Sequence, residues 1–519
     1  MQRDGKRPDR HQTRHQTRRQ ILGGLTAGLG VGIASSLSPL QARAPERSLF
    51  PQPRIARLDG RGGTTLTAQP LDALLARARL GGTTAFVALD LRDGSVIEAM
   101  NAGTAMPPAS VAKAATALYA IDHLGASHRF ATQVLASGTV SEGVLQGDLI
   151  LQGGGDPVLQ TADLAELAQA LVTGGLRRVT GRFLTDDTAL PHMREIAGNM
   201  PVQAGYNPAL SGLNLNFNRV HFVWRPEGGA MRLSLDARSA HEVPPVSVIG
   251  IEAHQGSTPV YTYRETGGRE MWSVAAGALG QGGSRWLPVR RPGVYAGDVL
   301  RALLAARGCT VPPPQAASRA QTGRVLASHM SPPLDRMMRD MLRFSTNITA
   351  EIGGLAATRQ AGGAGVGTLA ASGQRMSAWV RSRHGVQDLR FDDHSGLNDT
   401  ARVTAQGMAA FLQSAHRQGV LPPLLRRHVM RDTQGAELPG HPVQVNAKTG
   451  TLNFVSGLGG YARIPGGREI AFAIFSADLA RRAAIPADQA ERPADAPGWA
   501  RRARTLQQGL IERWAALHA

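Results

Sequence analysis

Lysine is almost absent from this chain, which makes the positions of its few lysines informative. The 519 residues include 57 lysines and arginines, and lysine occurs only at Lys6, Lys113 and Lys448. Arginine stays protonated in proteins, whereas a lysine that is buried or close to another cation can lose its proton. Lys113 and Lys448 are therefore candidates for a reactive amine or a compact point charge. Taken singly, either lysine is explained equally well by drift in an arginine-rich chain.

Ser110 and Lys113 form the first of three short motifs. They lie three residues apart in a stretch with helical periodicity, so the amine would reach the hydroxyl from the next turn. A serine hydroxyl is a weak nucleophile at its ordinary pKa and needs an adjacent base. Taken alone, the pair also fits a helix N-cap serine with a solvated lysine.

Two further motifs follow in the chain. Ser345 and Asn347 lie where one helical pattern ends and the next begins, and alone they would indicate only a helix cap. Lys448, Thr449 and Gly450 open a predicted strand, and alone they would indicate a turn before it. Ser110 and Ser345 are separated by more than 200 residues, which leaves room for an insertion.

The surrounding patterns predict the elements that must position these motifs. Residues 86–100 read as a hairpin, 110–124 as a helix, 457–476 as a second hairpin and 499–517 as a last helix. Helices around early and late strands indicate that the two ends of the chain meet on one sheet. Residues 131–314 are broken by many Gly and Pro and contain short strand patterns, which predicts inserted β-rich modules.

Residues 1–44 have the layout of a secretory signal. Paired arginines precede a weakly apolar run rich in Gly, Ala and Leu, as in the twin-arginine variant. This predicts an exported, periplasmic protein, and an uncleaved leader acting as membrane anchor is the alternative. The net charge of +18 suits an anionic partner, and outside the cytoplasm that partner is cell wall or lipid rather than nucleic acid.

The sequence gives no support for a metal or another cofactor. The single cysteine, Cys309, excludes an intramolecular disulfide and a cysteine cluster. The 15 histidines are scattered without the spacing of a helical metal site. No cofactor, metal or nucleic acid is therefore expected.

Together and in this order, the motifs match the Ser-x-x-Lys, Ser-x-Asn and Lys-Thr-Gly set of serine penicillin-interacting enzymes. The chain resembles the low-molecular-mass penicillin-binding proteins of the D-alanyl-D-alanine carboxypeptidase/endopeptidase family, in the class C type that carries a large insert after the first motif. The resemblance extends over further segments, namely 153–159 (GGGDPVL), 206–218, 292–311, 393–397 and 402–404.

The resemblance implies an α+β fold of the β-lactamase/transpeptidase type, with an antiparallel sheet flanked by helices. Residues 45–130 and 315–519 would form this peptidase domain, and residues 131–314 the inserted modules. It also implies hydrolysis of peptidoglycan stem peptides or cross-links through an acyl-enzyme, and acylation by β-lactams. A β-lactam or ester hydrolase and a non-catalytic cell-wall-binding scaffold are the alternatives.

Roles follow for the first two motifs. Ser110 would attack the amide carbonyl after a neutral Lys113 takes its proton, and both burial and the charge of Lys448 would disfavour a protonated Lys113. Ser345 would pass the proton to the departing amine, and Asn347 would fix Lys113 and the substrate amide.

The third motif would bind the substrate. Lys448 and Thr449 would hold the terminal carboxylate of a D-alanine, and the strand edge after Gly450 would pair with the peptide. The resemblance implies an oxyanion hole made by the backbone amides of Ser110 and Thr451.

Two positions depart from the family pattern. Thr346 stands where aspartate is common, a change that we expect to be tolerated. Asp399 stands where arginine is usual, which reverses a charge near the acyl-donor pocket. Recognition of an anionic diaminopimelate side chain is therefore in question.

Overall fold

An antiparallel sheet built from both ends of the described chain forms the centre of the fold. The computed structural model describes residues 66, 68–363, 365–432, 435–486, 489–491 and 493–518, which belong to one compact unit, Gly62–Ala519. The predicted leader, residues 1–44, lies outside them. None of the described helices combines the length and apolar character needed to cross a bilayer.

The α-helices of the described residues are α1 (Leu71–Ala78), α2 (Lys113–Leu124), α3 (Thr161–Thr173), α4 (Pro292–Ala305), α5 (Leu334–Phe344), α6 (Asn347–Gln360), α7 (Leu369–His384), α8 (Ala405–Gln418), α9 (Leu479–Ala483) and α10 (Ala496–His518).

The strands are β1 (Thr83–Asp90), β2 (Val96–Met100), β3 (Ala131–Ala136), β4 (Thr139–Ser141), β5 (Val144–Gln146), β6 (Leu149–Gly153), β7 (Arg178–Val179), β8 (Phe183–Asp186), β9 (Arg219–Glu227), β10 (Ala230–Asp236), β11 (Ile249–His254), β12 (Tyr261–Thr266), β13 (Arg269–Ala275), β14 (Gly283–Pro288), β15 (Pro314–Ala316), β16 (Arg324–Met330), β17 (Leu389–Arg390), β18 (Arg402–Val403), β19 (Arg427–His428), β20 (Gln444–Leu452), β21 (Val455–Arg463) and β22 (Glu469–Ala477).

The central sheet has the order β19-β20-β21-β22-β1-β2, and every neighbouring pair is antiparallel. Strand β22 shows why both faces are covered, because its alternate side chains enter two different cores. Ala473 and Phe475 pack with helices α2, α5, α6, α7 and α8 on one face. Phe472 and Ile474 pack with α1 and α10 on the other. The predicted antiparallel sheet flanked by helices is confirmed.

A second group of sheets lies between the first motif and the second. Its largest sheet has the order β15-β8-β6-β3-β16, and three three-stranded sheets, β10-β9-β14, β11-β13-β12 and β4-β5-β7, accompany it. Helices α3 and α4 share a separate apolar core with these strands. Strand β16 pairs with β3, so this sheet extends past residue 314. The proline run at residues 312–314 ends in the first residue of β15, which pairs with β8.

Two elements near the motifs differ from the sequence prediction. Ser110 lies in a 3-10 turn, Ala109–Ala112, and the α-helix begins only at Lys113. Pro108 accepts the first hydrogen bond of that turn from the Val111 amide. The Lys-Thr-Gly motif does not open its strand but lies in the second half of β20. The first residues of β20 include the exposed polar residues Gln444 and Asn446. The start of this strand is therefore not evident from the sequence.

Candidate active site

The first motif places a buried amine against a hydroxyl. Lys113 is fully buried, and its Nζ donates to Ser110 Oγ at 2.9 Å, to Asn347 Oδ1 at 2.9 Å and to the Ser395 carbonyl at 2.7 Å. An ammonium has three donors, and these three acceptors match them. When the amine loses one proton, its lone pair can accept the Ser110 hydroxyl proton instead. The geometry therefore suits a serine and a lysine that exchange a proton.

The second motif lies at the junction of two helices. Helix α5 ends at Phe344, and Ser345 follows in the left-handed conformation with φ of 59°. Helix α6 begins at Asn347, whose Oδ1 faces Lys113 and whose Nδ2 donates to the Tyr206 carbonyl at 2.9 Å. The sharp turn directs both side chains of the motif toward the lysines. Tyr206 comes from the region between the motifs, so that region contributes an atom to the site.

The third motif comes from strand β20. Lys448 is 2% exposed, and its Nζ donates to Ser345 Oγ at 3.0 Å and to the Thr449 carbonyl at 2.7 Å. Gly450 lies directly against the segment that carries Ser110, since a Cβ at Gly450 would lie 2.8 Å from the Pro108 carbonyl oxygen. Only glycine allows β20 to approach the nucleophile segment this closely.

Burial changes the protonation of both lysines. It lowers the pKa of Lys113 to about 8, although the charges of Asp393 and Glu351 pull that pKa upward. The pKa of Lys448 lies well below its ordinary value, first because of burial and then because of the charges of Lys113 and Arg426. Burial is the largest cause of the lowered pKa of both amines, and the charge of Lys113 lowers the pKa of Lys448 further. A carboxylate beside Lys448 would raise its pKa again.

The structure adds two buried carboxyl groups that the sequence did not single out as site residues. Glu351 accepts the backbone amides of His394 at 3.0 Å and Ser395 at 2.8 Å, and burial followed by the charge of Asp393 raises its pKa to about 8. Asp393 accepts the Gly396 amide at 2.7 Å, and burial raises its pKa. Together they hold the turn whose Ser395 carbonyl contacts Lys113. One signal was available for Glu351, because it follows Asn347 by four residues on α6 and so shares its face.

A cleft of about 830 Å³ opens over Ser110, Ser345, Asn347 and Thr451. Four charged residues also line it, namely Asp399, Arg402, Arg482 and Glu491. Asp399, which departs from the family pattern, accepts a hydrogen bond from Arg482 Nε at 3.0 Å. Arg402 contacts the backbone carbonyl of Asp399. The carboxylate of Asp399 is thus neutralised by an arginine from another part of the chain.

The site brings together all the residues predicted from the three motifs. Lys113 is hydrogen-bonded to Ser110 and Asn347, and Lys448 is hydrogen-bonded to Ser345. Ser110, Ser345 and Asn347 from these two groups line the same cleft. The three predicted substrate-binding residues lie on β20 beside them. Thr451 lines the cleft, Gly450 packs against the Ser110 segment, and Thr449 lines an adjacent cavity.

Comparisons with known proteins identify the family to which the chain belongs. The D-Ala-D-Ala carboxypeptidase 3 (S13) family matches residues 67–493. A D-alanyl-D-alanine carboxypeptidase of Actinomadura sp. (strain R39) is 27% identical over 512 residues, which span 90% of this chain and 92% of that protein.

Solved structures show the same fold. Penicillin binding protein 4 (dacB) from Haemophilus influenzae is 20% identical with a TM-score of 0.68, and the match covers 86% of this chain and 99% of that one. The same protein complexed with a novel beta-lactam is 20% identical with a TM-score of 0.67, covering 85% and 99%. Because the family match spans most of the sequence, the chain belongs to the D-Ala-D-Ala carboxypeptidase 3 (S13) family and is a serine-type peptidase of that class.

Proposed function

We propose that Ser110 is the nucleophile of a D-alanyl-D-alanine carboxypeptidase and DD-endopeptidase that acts on peptidoglycan peptides and is acylated by β-lactams. The contact of 2.9 Å between Lys113 Nζ and Ser110 Oγ carries this proposal. It joins a serine to a buried amine whose pKa of about 8 allows a neutral fraction near neutral pH.

Acylation begins when the neutral Lys113 amine takes the Ser110 hydroxyl proton. Ser110 Oγ forms a bond to the carbonyl carbon of the penultimate D-alanine, and the backbone amides of Ser110 and Thr451 stabilise the resulting oxyanion. The carbon–nitrogen bond then breaks. Ser345 delivers a proton to the departing amine and is reprotonated through the lysines. Water attacks the resulting ester and releases the acyl group, which regenerates the Ser110 hydroxyl.

The remaining residues position the substrate. Lys448 and Thr449 hold the terminal carboxylate, while Asn347 fixes Lys113 and contacts the substrate amide. The edge of β20 after Gly450 supports strand addition, because β19 pairs with this edge only at Val445 and Asn446. Among the described residues, no strand pairs with this edge of β20 beyond Gly450.

We also propose where the protein is located and how its chain is divided into domains. Export to the periplasm by the twin-arginine route is supported by the basic and apolar pattern of residues 1–44. We assign residues 45–130 and 315–519 to the peptidase domain and residues 131–314 to the inserted modules. The separate apolar core of the inserted region supports this division, although strands β15 and β16 extend the sheet of that region to Met330.

Labelling with a fluorescent penicillin tests the function. The purified chain, Ser110→Ala and Lys113→Arg are each incubated with the probe, and intact mass is followed over hours. We expect a stable adduct on the parent, none on Ser110→Ala and little on Lys113→Arg. Rapid turnover of the adduct on the parent would indicate a β-lactam hydrolase. Absence of any adduct on a folded parent would refute the acyl-enzyme and favour a scaffold.

A further inference from the structure

A second cavity, of about 690 Å³, adjoins the active site beside strand β20. Thr449 and Thr451 line it, and Thr451 also lines the cleft that holds Ser110. The two spaces therefore meet at the strand proposed to bind the substrate. The volume is that of a ligand-sized pocket, larger than a single terminal D-alanine requires. We call it the arginine cavity because its wall carries five arginines, which are Arg426, Arg427, Arg431, Arg501 and Arg504.

The arginine cavity has more positive charge than its own carboxylates balance. Asp432 and Glu437 are the acidic residues in its wall, and Glu437 pairs with Arg431 at 2.6 Å. For Arg426, Arg427, Arg501 and Arg504, no ion pair or side-chain hydrogen bond occurs within the described residues.

The crowded positive charges lower the pKa values of groups in the cavity wall. Burial and the charge of Arg501 lower the pKa of Arg504. Burial together with Arg426 and Arg431 lowers the pKa of His428 to about 4, so this imidazole is neutral at neutral pH. Like charges that face a concave surface without counter-ions attract anions.

The position of the cavity shows which part of a substrate would reach it. Thr449 is proposed to hold the carboxylate of the residue that leaves, so the cavity begins on the leaving-group side of the scissile bond. Strand β19 begins at Arg427, which pairs with Asn446 of β20, and the Arg426 carbonyl accepts the Ala447 amide. These two arginines therefore lie at the edge of β20 where its pairing with β19 ends. A peptide that adds to this edge meets these arginines, and Arg501 and Arg504 face the same space from α10.

We propose that the arginine cavity binds the leaving part of a cross-linked peptide substrate, through carboxylates additional to the one at the scissile residue. This inference rests on the proposed function and deepens it. A lone D-alanine offers one carboxylate, which Lys448 and Thr449 take at the margin of the cavity, and it engages none of the cavity arginines. An oligoanionic leaving group uses the cavity, so the chain prefers cross-links over free D-alanyl-D-alanine ends.

Matched peptides test the preference. Three substrates share the acyl donor diacetyl-L-lysyl-D-alanine and differ only in the leaving residue, which is D-alanine, D-glutamine or D-glutamate. The last two are nearly identical in shape and differ by one negative charge. We expect kcat/KM for D-glutamate to exceed that for D-glutamine about fivefold at low salt, and the ratio to fall toward one in 0.5 M NaCl because added ions screen the charges.

A variant pair assigns the preference to the cavity. Arg501→Gln combined with Arg504→Gln removes two cavity charges from exposed positions, and we expect it to abolish the ratio. The control is Arg417→Gln, which makes the same chemical change at an exposed position on α8, a helix that packs on the opposite face of the central sheet from α10. This control keeps the ratio.

The outcomes separate this inference from the proposed function. Penicillin labelling of Ser110 is measured in the same preparations. A labelled parent with equal rates for D-glutamate and D-glutamine overturns the anion subsite alone, as does a ratio that survives in the double variant. A parent that is not labelled overturns the proposed function itself. A ratio lost in the double variant and kept in Arg417→Gln supports the subsite.

Discussion

Gly450 offers a direct test of how strand β20 sets the position of the nucleophile. A Cβ at this residue would lie 2.8 Å from the Pro108 carbonyl oxygen, 3.0 Å from Ala109 Cβ and 3.1 Å from the Ser110 amide nitrogen. All three atoms belong to the backbone or first side-chain carbon of one segment, so none can swing aside. Ordinary contacts between such atoms begin near about 3.5 Å. Gly450→Ala must therefore separate β20 from that segment by roughly 0.5 Å.

The separation should lower the rate of acylation because it displaces the amides proposed to bind the oxyanion. The amides of Ser110 and Thr451 are proposed to stabilise the oxyanion together, and they lie on opposite sides of the crowded contact. A misplacement of about 1 Å at an active site costs about 100-fold in rate, so half that distance predicts about a tenfold loss in acylation. The added methyl group also destabilises the fold by about 1–3 kcal/mol.

The assay is the second-order rate constant for acylation by a fluorescent penicillin, measured together with thermal unfolding. Gly174→Ala is the control, because its Cβ would meet the Ala170 carbonyl oxygen at 3.2 Å at the end of α3, outside the site. We expect the control to acylate at the parental rate. If folded Gly450→Ala acylates within twofold of the parent, the spacing between β20 and the Ser110 segment does not control the oxyanion site.

Two further predictions concern buried ionisable groups. The rate of acylation by penicillin should rise with pH through about 8, because Lys113 must be neutral to accept the Ser110 proton. Lys113→Arg should lower that rate at least about 1000-fold, since arginine keeps its proton. Asp156→Asn should be more stable than the parent above pH 6, by up to about 3 kcal/mol in urea unfolding, because burial raises the Asp156 pKa to about 6. Between the unfolded pKa near 4 and the folded value of about 6, the folded parent holds a proton that the unfolded chain has lost, so the parent's stability falls as pH rises through this window. The advantage of the variant should disappear below pH 4.

The predictions for Lys113 and Asp156 can each be contradicted by a measured pH dependence. A rate of acylation independent of pH between 6 and 9 would show that Lys113 is not the base. For Asp156, the amide variant retains the acceptor that Oδ1 offers to the Val158 amide, while Oδ2 has no hydrogen-bond partner within the described chain. A stability difference that stays constant from pH 4 to 8 would show that this carboxyl does not titrate with a raised pKa.

The catalytic motifs and the central sheet could be predicted because both depend on local patterns in the sequence. Ser110 and Lys113 are neighbours on one turn, so their contact depends only on local geometry. The hairpin of β1 and β2 follows from alternating apolar residues around a turn, and the structure confirms it. The antiparallel sheet with helices on both faces is likewise confirmed.

Other parts of the site depend on atoms that a side-chain pattern does not reveal. Asn347 is held by the backbone carbonyl of Tyr206, and Glu351 by the amides of His394 and Ser395. Any residue type could supply those backbone atoms, so no sequence signal identifies them. The arginine cavity combines residues 426–431 with α10, and its members are unremarkable in a chain so rich in arginine.

The position of β1 beside β22 has a consequence for when the enzyme acquires activity. Strand β1 pairs along its whole length with β22, and β22 also joins β21 of the substrate-binding hairpin. A ribosome must therefore have made nearly the entire chain before the sheet behind Ser110 can close. Nascent chains that already contain the serine and its lysine lack the strand that completes their support, so a β-lactam would meet a competent nucleophile only in finished molecules. Contacts between such distant segments also make folding slow.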